Sequence, residues 1–433
     1  MAVALVGAGG KTSALSRLAA ELSPQLPALV TTTTRLGLEQ SAVAAQHAQV
    51  SGASAWADLA RQLREARSLL VTGELDARGE KWTGLGPEEM AWLKKVAQDE
   101  GGVLLVEADG ARRASVKAPA EHEPVIPAFA NLVVAVAGLD ALGARIDSDL
   151  VHRSDRLSAI LGKPVTATLD TEDLAAVLTS ASGGMKGIPK PAEVWILLNK
   201  ADDERTLTAG RPIAARVLRD PRVQAVVLAS SQAPSPAQEV HGRIGGIVLA
   251  AGGSDRLGRP KQLVEWKGRP LVLHAVEAAA AAGLSPIVVV VGASEAGVRE
   301  ALQGSTADFV YNDRWREGQS TSVRAGLRAV EGQVEGAVFL LSDMPHIPSE
   351  LIRRTVEAHR RTLSPIVAPW AGGRWANPVL FDRAVFSDLA ALEGDRGGKS
   401  LVPRYPALRV EWDDSILLDI DTPADLARLE GGG

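Results

Sequence analysis

Cysteine is absent from the 433 residues, which excludes disulfides, thiolate metal centres and cysteine nucleophiles and fits a reducing compartment. Long apolar runs are missing too. Pro286 to Val291 is strand-sized, well short of the roughly 20 residues that span a bilayer. The opening MAVALVGAGGKT has no basic leader, so no secretory signal is expected. Nor is there an excess of one charge. Lys and Arg number 47 against 52 Asp and Glu, a formal net charge of −5, so no global field draws in nucleic acid or an anionic membrane, and basic residues should act locally, at sites. The expectation is a soluble, cytoplasmic protein acting on small molecules, with no nucleic acid or membrane partner. What is present is an apolar fraction of 46%, enough for sizeable cores, over a length that suits two domains.

The most informative stretch is residues 245–263, GGIVLAAGGSDRLGRPKQL. Ile247, Val248 and Leu249 suit a buried strand, and Ala250, Ala251, Gly252, Gly253 and Ser254 leave a backbone bare enough for a phosphate chain to approach. Arg256, Arg259 and Lys261 follow within reach of that turn, a combination that suits a triphosphate. Further on, Asn312, Asp313, Gly318, Gln319, Ser320, Thr321 and Ser322 form a polar loop ahead of a helix from Val323 to Val330, suited to reading a base or holding a phosphate. The buried strand Ala337 to Leu341 delivers Asp343 to a sheet edge that faces the ligand, which makes it the first choice for magnesium. A second carboxylate is expected from a strand Ile416 to Leu418, through Asp419 or Asp421, ahead of a capping box at Thr422 and Asp425. Strand alternation does not say which of the two aspartates points at the edge. Asp395, Arg396 and Lys399, in GDRGGKS, read as a loop for an anionic second substrate, with Arg374, Trp375 and Asn377 lining the same pocket.

The N-terminal half repeats the theme. A short apolar run, Val3 to Val6, leads into Gly7, Ala8, Gly9, Gly10, Lys11 and Thr12 and then a helix, the layout of a shortened P-loop in which Lys11 neutralises β and γ phosphates and Thr12 holds Mg²⁺. The strand Val103 to Val106 ends in Glu107 and Asp109, where such a site keeps its metal. Arg112, Arg113 and Lys117 follow in a basic loop that suits a phosphate. Val194 to Leu198 ends in Asn199, Lys200 and Asp202, the N-K-x-D arrangement that recognises guanine. The order of these features along alternating β and α segments argues for a nucleotide site in residues 1–230, with GTP or ATP as ligand. Residues 231–243 read as a linker, and 244–433 as the second domain. The fold class expected is α/β, two doubly wound three-layer domains.

GAGGKTS, TTTTRLG, VEADGARR with VKAP and HEPVIP, VHR and NKAD together resemble the YqeC-like accessory proteins of selenium-dependent molybdenum hydroxylases. The resemblance implies a P-loop NTPase-like domain assisting molybdoenzyme maturation, with transient contact to a molybdenum hydroxylase. LAAGGSDRLGRPKQL, GQSTSV, SDMP, NPVLF, GDRGGKS and DIDTPAD resemble the MobA-like nucleotidyltransferases, and within them molybdenum cofactor cytidylyltransferase. That resemblance implies a Rossmann-like domain transferring CMP from CTP to molybdopterin with Mg²⁺ and release of pyrophosphate. Lys261 and Arg256 would hold the leaving phosphates, and Asp343 with Asp419 or Asp421 the metal. The alternatives are GTP as donor, a sugar phosphate as acceptor, or a nucleotide-switched carrier that loads a hydroxylase with cofactor. Asn377 stands where many members carry histidine.

Overall fold

The computed structural model describes every residue except 51–55, 57, 255–256 and 432–433. The chain divides into two compact units, Met1–His241 and Gly242–Gly433.

Unit 1 is organised on short runs of valine, leucine and alanine that are buried on both faces, the pattern of a parallel sheet covered by helices. Its main strands are β1 (Ala2–Gly7), β2 (Ala28–Thr32), β3 (Gln46–Gln49), β4 (Ser68–Thr72), β5 (Val103–Glu107), β6 (Leu132–Gly138), β7 (Glu193–Asn199), β8 (Val223–Ala229) and β9 (Ala237–Gly242). They lie in the order β9-β8-β7-β6-β1-β5-β2-β4-β3, and from β8 to β3 every pairing is parallel. Alternation along β1 sends Ala2, Ala4 and Val6 into one apolar cluster and Val3 and Leu5 into another, so the sheet is the middle of three layers. Helix α1 (Lys11–Leu22) follows β1 directly, and α2 (Pro87–Asp99) opens with proline at its first turn, as its sequence predicts.

Unit 2 has the same logic. Strands β10 (Ile244–Ala250), β11 (Ile287–Val291), β12 (Asp308–Tyr311), β13 (Gly336–Leu341), β14 (Ile366–Ala371), β15 (Arg374–Trp375) and β16 (Val379–Asp382) run in the order β12-β11-β10-β13-β16-β14-β15, with β17 (Ala407–Glu411) on β14. The first four are parallel, whereas β16 is antiparallel to both its neighbours. Ile244, Val248 and Ala250 of β10 face one cluster and Ile247 the other, so this sheet too lies between two apolar layers. Both units are therefore doubly wound α/β, the class expected. Among the described residues no helix is long and apolar enough to cross a membrane.

Three local expectations are corrected. The supposed linker 231–243 contains β9, which extends the sheet of unit 1 next to β8. Its polar sequence is misleading because Glu239 and His241 are buried and satisfied, Glu239 accepting from Arg211 at 2.7 Å and lying 2.8 Å from the His241 ring. Ile416 to Leu418 is not a strand, since Asp414–Leu417 is a single 3-10 turn, so alternation never governs Asp419 and Asp421. Gln319 to Ser322 are not a loop but the first turn of helix α3 (Gln319–Val330). The cap on the last helix, α4 (Pro423–Gly431), is as expected, with Asp425 accepting from the Thr422 N–H at 2.9 Å.

Candidate functional site

In unit 2, β10 lies between β11 and β13, and the loops leaving the C-terminal ends of these strands open one crevice. It is a cleft of about 1020 Å³, lined by Leu249 to Gly253, Lys261, Gln319, Ser322, Asp343, Asp395, Asp419 and Asp421. After Ala250 the backbone runs through the glycines to Ser254, which takes a left-handed φ of 59°. The Ser254 hydroxyl accepts the Lys261 N–H at 2.9 Å, so the loop closes on itself and returns Lys261 to the mouth of the sheet. Gln262, almost fully buried, donates to the carbonyls of Ala250 and Gly252 at 3.4 and 3.3 Å and pins the loop from beneath. Sequence reasoning passed over Gln262, and a lone polar residue inside the KQL turn was the available signal.

Lys261 Nζ contacts Asp343 Oδ2 and lies 3.1 Å from Asp421 Oδ1. Burial is the largest single influence and opposes its charge, but the charges and hydrogen bonds of Asp343 and Asp421 together outweigh it and raise its pKa. Asp421 therefore joins Asp343 at the cation, while Asp419 lines the same cleft without an ion pair to Lys261. Lys399 is held below the ordinary lysine range by desolvation and the Arg374 charge, with Asp419 opposing. Arg256 lies outside the described residues. Arg259 does not join the cleft and lines a separate surface hollow with Pro260 and Glu265.

The remaining predicted residues are divided. Asp395 reaches the cleft and accepts the Gln319 N–H at 3.3 Å, and the Gly394 carbonyl takes the Ser320 N–H at 3.2 Å, so the GDRGGKS loop is docked on the first turn of α3. Gly318, at φ 115°, allows this approach, because a Cβ there would stand 2.4 Å from the Gly394 oxygen. Asn312 donates to the hydroxyls of Thr321 and Ser322 at 2.9 Å each and fixes that turn from the other side. The Ser320 hydroxyl is buried without a partner. Arg396 and Lys399 do not line the cleft, and Asn377 donates to the Met344 sulfur at 3.5 Å.

The cleft's described lining carries Lys261 and Arg316 against Glu317, Asp343, Asp395, Asp419 and Asp421. Such a surface repels a polyphosphate unless divalent cations accompany it. Two carboxylates already converging on an ammonium are the oxygen donors a hard divalent ion takes. No group of three or more His, Asp or Glu that would hold a metal by itself is found among the described residues, so oxygens of the nucleotide would complete the shell.

Unit 1 has a second cleft, of about 690 Å³, at the C-terminal ends of β1 and β5. Gly7, Gly9 and Gly10 all have positive φ. A Cβ on Gly9 would lie 2.2 Å from the Gly138 nitrogen, so no side chain fits there. Lys11 Nζ donates to the Gly7 carbonyl at 2.6 Å and lies 3.1 Å from Asp109 and 3.9 Å from Glu107. Thr12 donates to Glu107 at 3.1 Å, and burial raises the Glu107 pKa against the pull of Lys11 and Thr12. From Asp109 the ion pairs continue to Lys117 at 2.8 Å, on to Glu123 at 2.8 Å and to Arg153 at 2.7 Å. Burial works against the Glu123 charge, yet hydrogen bonds from Arg153 and Lys117 hold its pKa down to about 2.

The N-K-x-D residues are arranged differently from the expectation. Asn199 donates to the Gly9 carbonyl at 2.7 Å and accepts from the Ser231 hydroxyl at 2.8 Å, so its amide braces the glycine loop. Asp202 accepts from Ser230 at 2.6 Å, and neither residue lines the cleft, whereas Lys200 does.

Residues 246–409 match the family described as MobA-like NTP transferase domain, and residues 3–155 the family described as YqeC protein. The YqeC protein of Escherichia coli K12 is 35% identical over 197 residues, covering 45% of this chain and 74% of that protein. Nicotine blue oxidoreductase of Paenarthrobacter nicotinovorans is 30% identical over 196 residues, 42% of this chain and 95% of that protein. Among solved structures, Rv0371c of Mycobacterium tuberculosis H37Rv aligns with TM-score 0.40 at 31% identity, covering 43% of this chain and 97% of its own.

Proposed function

Since the chain belongs to the MobA-like NTP transferase family through its C-terminal half and to the YqeC family through its N-terminal half, we propose that this nucleotidyltransferase transfers CMP from CTP to molybdopterin. The observation that carries the reading is the meeting of Lys261 with Asp343 and Asp421 at the mouth of the glycine loop, in a cleft whose other wall is the Asp395 loop. The backbone of Gly252 to Ser254 cradles the triphosphate and Lys261 holds the leaving phosphates. Asp343 and Asp421 would hold Mg²⁺, which would supply charge neutralisation to the triphosphate. An oxygen of the molybdopterin phosphate forms a bond to the α-phosphorus of CTP. The bond from that phosphorus to the α,β-bridging oxygen breaks, and pyrophosphate leaves with the electron pair. The attacking phosphate is ionised at neutral pH, so the protein supplies no base, and its share of catalysis is position and charge.

Unit 1 adds a nucleotide-binding function, for GTP or ATP, that assists a molybdenum hydroxylase receiving the product. Its glycine loop, Lys11 and Thr12 beside Glu107 and Asp109 support this reading. The engagement of Asn199 with Gly9 and Ser231 speaks for a nucleotide-loop brace over a guanine reader.

The test is purified protein with molybdopterin, Mg²⁺ and each nucleoside triphosphate in turn, read by product mass. The cytosine dinucleotide with pyrophosphate is expected from CTP alone. Conversion with GTP in its place would overturn the choice of base, and no conversion with any triphosphate would overturn the choice of acceptor.

A further inference from the structure

The glycine loop of unit 1 is short, and most of its donors are already engaged. The Gly7 N–H bonds Asp109 at 3.1 Å, the Ala8 N–H the Val136 carbonyl at 2.9 Å and the Gly9 N–H the Ala114 carbonyl at 2.9 Å. What the loop offers a ligand is the first turn of α1, enough for one phosphate group. A nucleoside di- or triphosphate carries charge well beyond that, and side chains must meet it.

The cleft is built to do so. Its lining carries seven Lys or Arg against three Glu, in a chain whose net charge is −5. Four of those cations, Arg112, Arg113, Arg153 and Lys200, have left-handed backbone, with φ of 45°, 63°, 63° and 63°. A side chain there costs free energy and persists only where the surroundings impose it. The other four non-glycine residues of this kind among the described residues sit in ordinary places: Arg67 and Leu363 close helices, Lys267 turns a hairpin and Ser254 shapes the donor loop of unit 2.

Arg112 and Arg113 are the sharpest case. They are the two central residues of a turn closed by the Ala114 N–H on the Ala111 carbonyl at 2.9 Å, and positive φ at both positions is the signature of a type I′ turn, which favours Asn-Gly. Two arginines are among the poorer choices for it. The turn adjoins the glycine loop through the bond from Gly9 to Ala114. The Arg112 side chain has no hydrogen bond or ion pair among the described residues, and Arg113 has a 3.3 Å contact with Glu39 at 90% exposure. Burial together with the charges of Arg153, Lys117 and Arg112 lowers the pKa of His152, which shows how positive this corner is.

We propose that Arg112 and Arg113 form an anion clamp that grips the phosphates of a nucleoside di- or triphosphate beyond the one seated on α1. Their guanidinium forks bond tetrahedral oxyanions in pairs. The proposal rests on the reading that unit 1 binds a nucleotide, and Lys11→Ala tests that reading separately.

The experiment uses the full-length chain with Lys261→Ala throughout, so that unit 2 contributes the same weakened background to every titration. Binding of ATP, GTP and the corresponding monophosphates is measured by calorimetry, with the Tm of each variant. In the paired variant Arg112→Asn/Arg113→Gly, which suits the turn, triphosphate affinity should fall about 10- to 100-fold, monophosphate affinity should hold and Tm should hold or rise. Unchanged triphosphate affinity overturns the clamp, as does equal loss of mono- and triphosphate, or a fall in Tm, which would make the arginines structural. If Lys11→Ala leaves all binding as it was, the nucleotide reading of unit 1 fails and the clamp with it. If Lys11→Ala weakens binding and the turn variant does not, the clamp alone fails.

Discussion

Lys11 and Lys261 occupy matching stations in their two units. Each follows the glycine loop after a central strand, and each ammonium is shared by two carboxylates, Asp109 and Glu107 for the first, Asp343 and Asp421 for the second. A triphosphate arriving at either loop must compete with those carboxylates for the lysine, and a divalent cation is what leaves the carboxylates satisfied when it succeeds.

For unit 2 this predicts that Lys261→Ala lowers kcat by roughly 10²- to 10³-fold, the usual cost of removing one electrostatic contact to the transition state. Because two aspartates then face each other without their cation, Mg²⁺ should raise the Tm of the variant more than that of the parent protein. Steady-state pyrophosphate release and thermal melts with and without Mg²⁺ check both halves.

Asp343→Asn and Asp421→Asn should each raise the Mg²⁺ concentration needed for half-maximal rate by tenfold or more, on the order of one lost charge-assisted contact. Asp419→Asn should instead act on the acceptor, raising its KM, because Asp419 lines the cleft without an ion pair to Lys261 and its charge acts on Lys399. Rate measured against Mg²⁺ and against molybdopterin separates the two patterns, and the reverse assignment of Asp419 and Asp421 would refute the placement.

Gly318→Ala sets a Cβ against the Gly394 oxygen at a φ of 115°, so the Asp395 loop has to move off α3. The expected outcome is a Tm loss consistent with about 1–3 kcal/mol of strain and a raised KM for the acceptor, with the KM for CTP less affected.

Glu123 titrates at about 2 in the folded chain against an ordinary 4.5. A carboxyl depressed in this way stabilises the fold fully above the ordinary value and loses that stabilisation as the pH falls from 4.5 towards 2. Glu123→Gln should therefore lower the Tm of unit 1 at neutral pH and flatten its decline across that acid window. Melts of the two proteins from neutral pH downward show whether the curves converge.

The sheets were legible because parallel strands buried on both faces are spelled as valine-rich runs, and the residues at their ends, Asp343, Glu107 and Lys11, could be placed from that alone. What escaped was set by tertiary partners. The period of two could not choose between Asp419 and Asp421, since the segment before them is a 3-10 turn and the choice is made by Lys261 across the cleft. Strand β6 (Leu132–Gly138) supplies the backbone that Gly7 and Gly9 press against, yet no chemistry-bearing residue draws attention to it. Arg259 sits in the same basic row as Lys261 and points elsewhere, which spacing along a loop does not reveal.

Strand β9 ends at Gly242 and β10 begins at Ile244, so along the chain one residue, Arg243, separates the two strands. Separate production of the halves has to respect that seam. A truncation at residue 230, where composition suggests a border, strips the outermost strand from unit 1, leaves Arg211 with Glu204 but without Glu239, and bares a row of unpaired peptide groups along β8. An exposed edge of that kind recruits other chains, so such a fragment should precipitate or self-associate, whereas one ending after Gly242 keeps its own border.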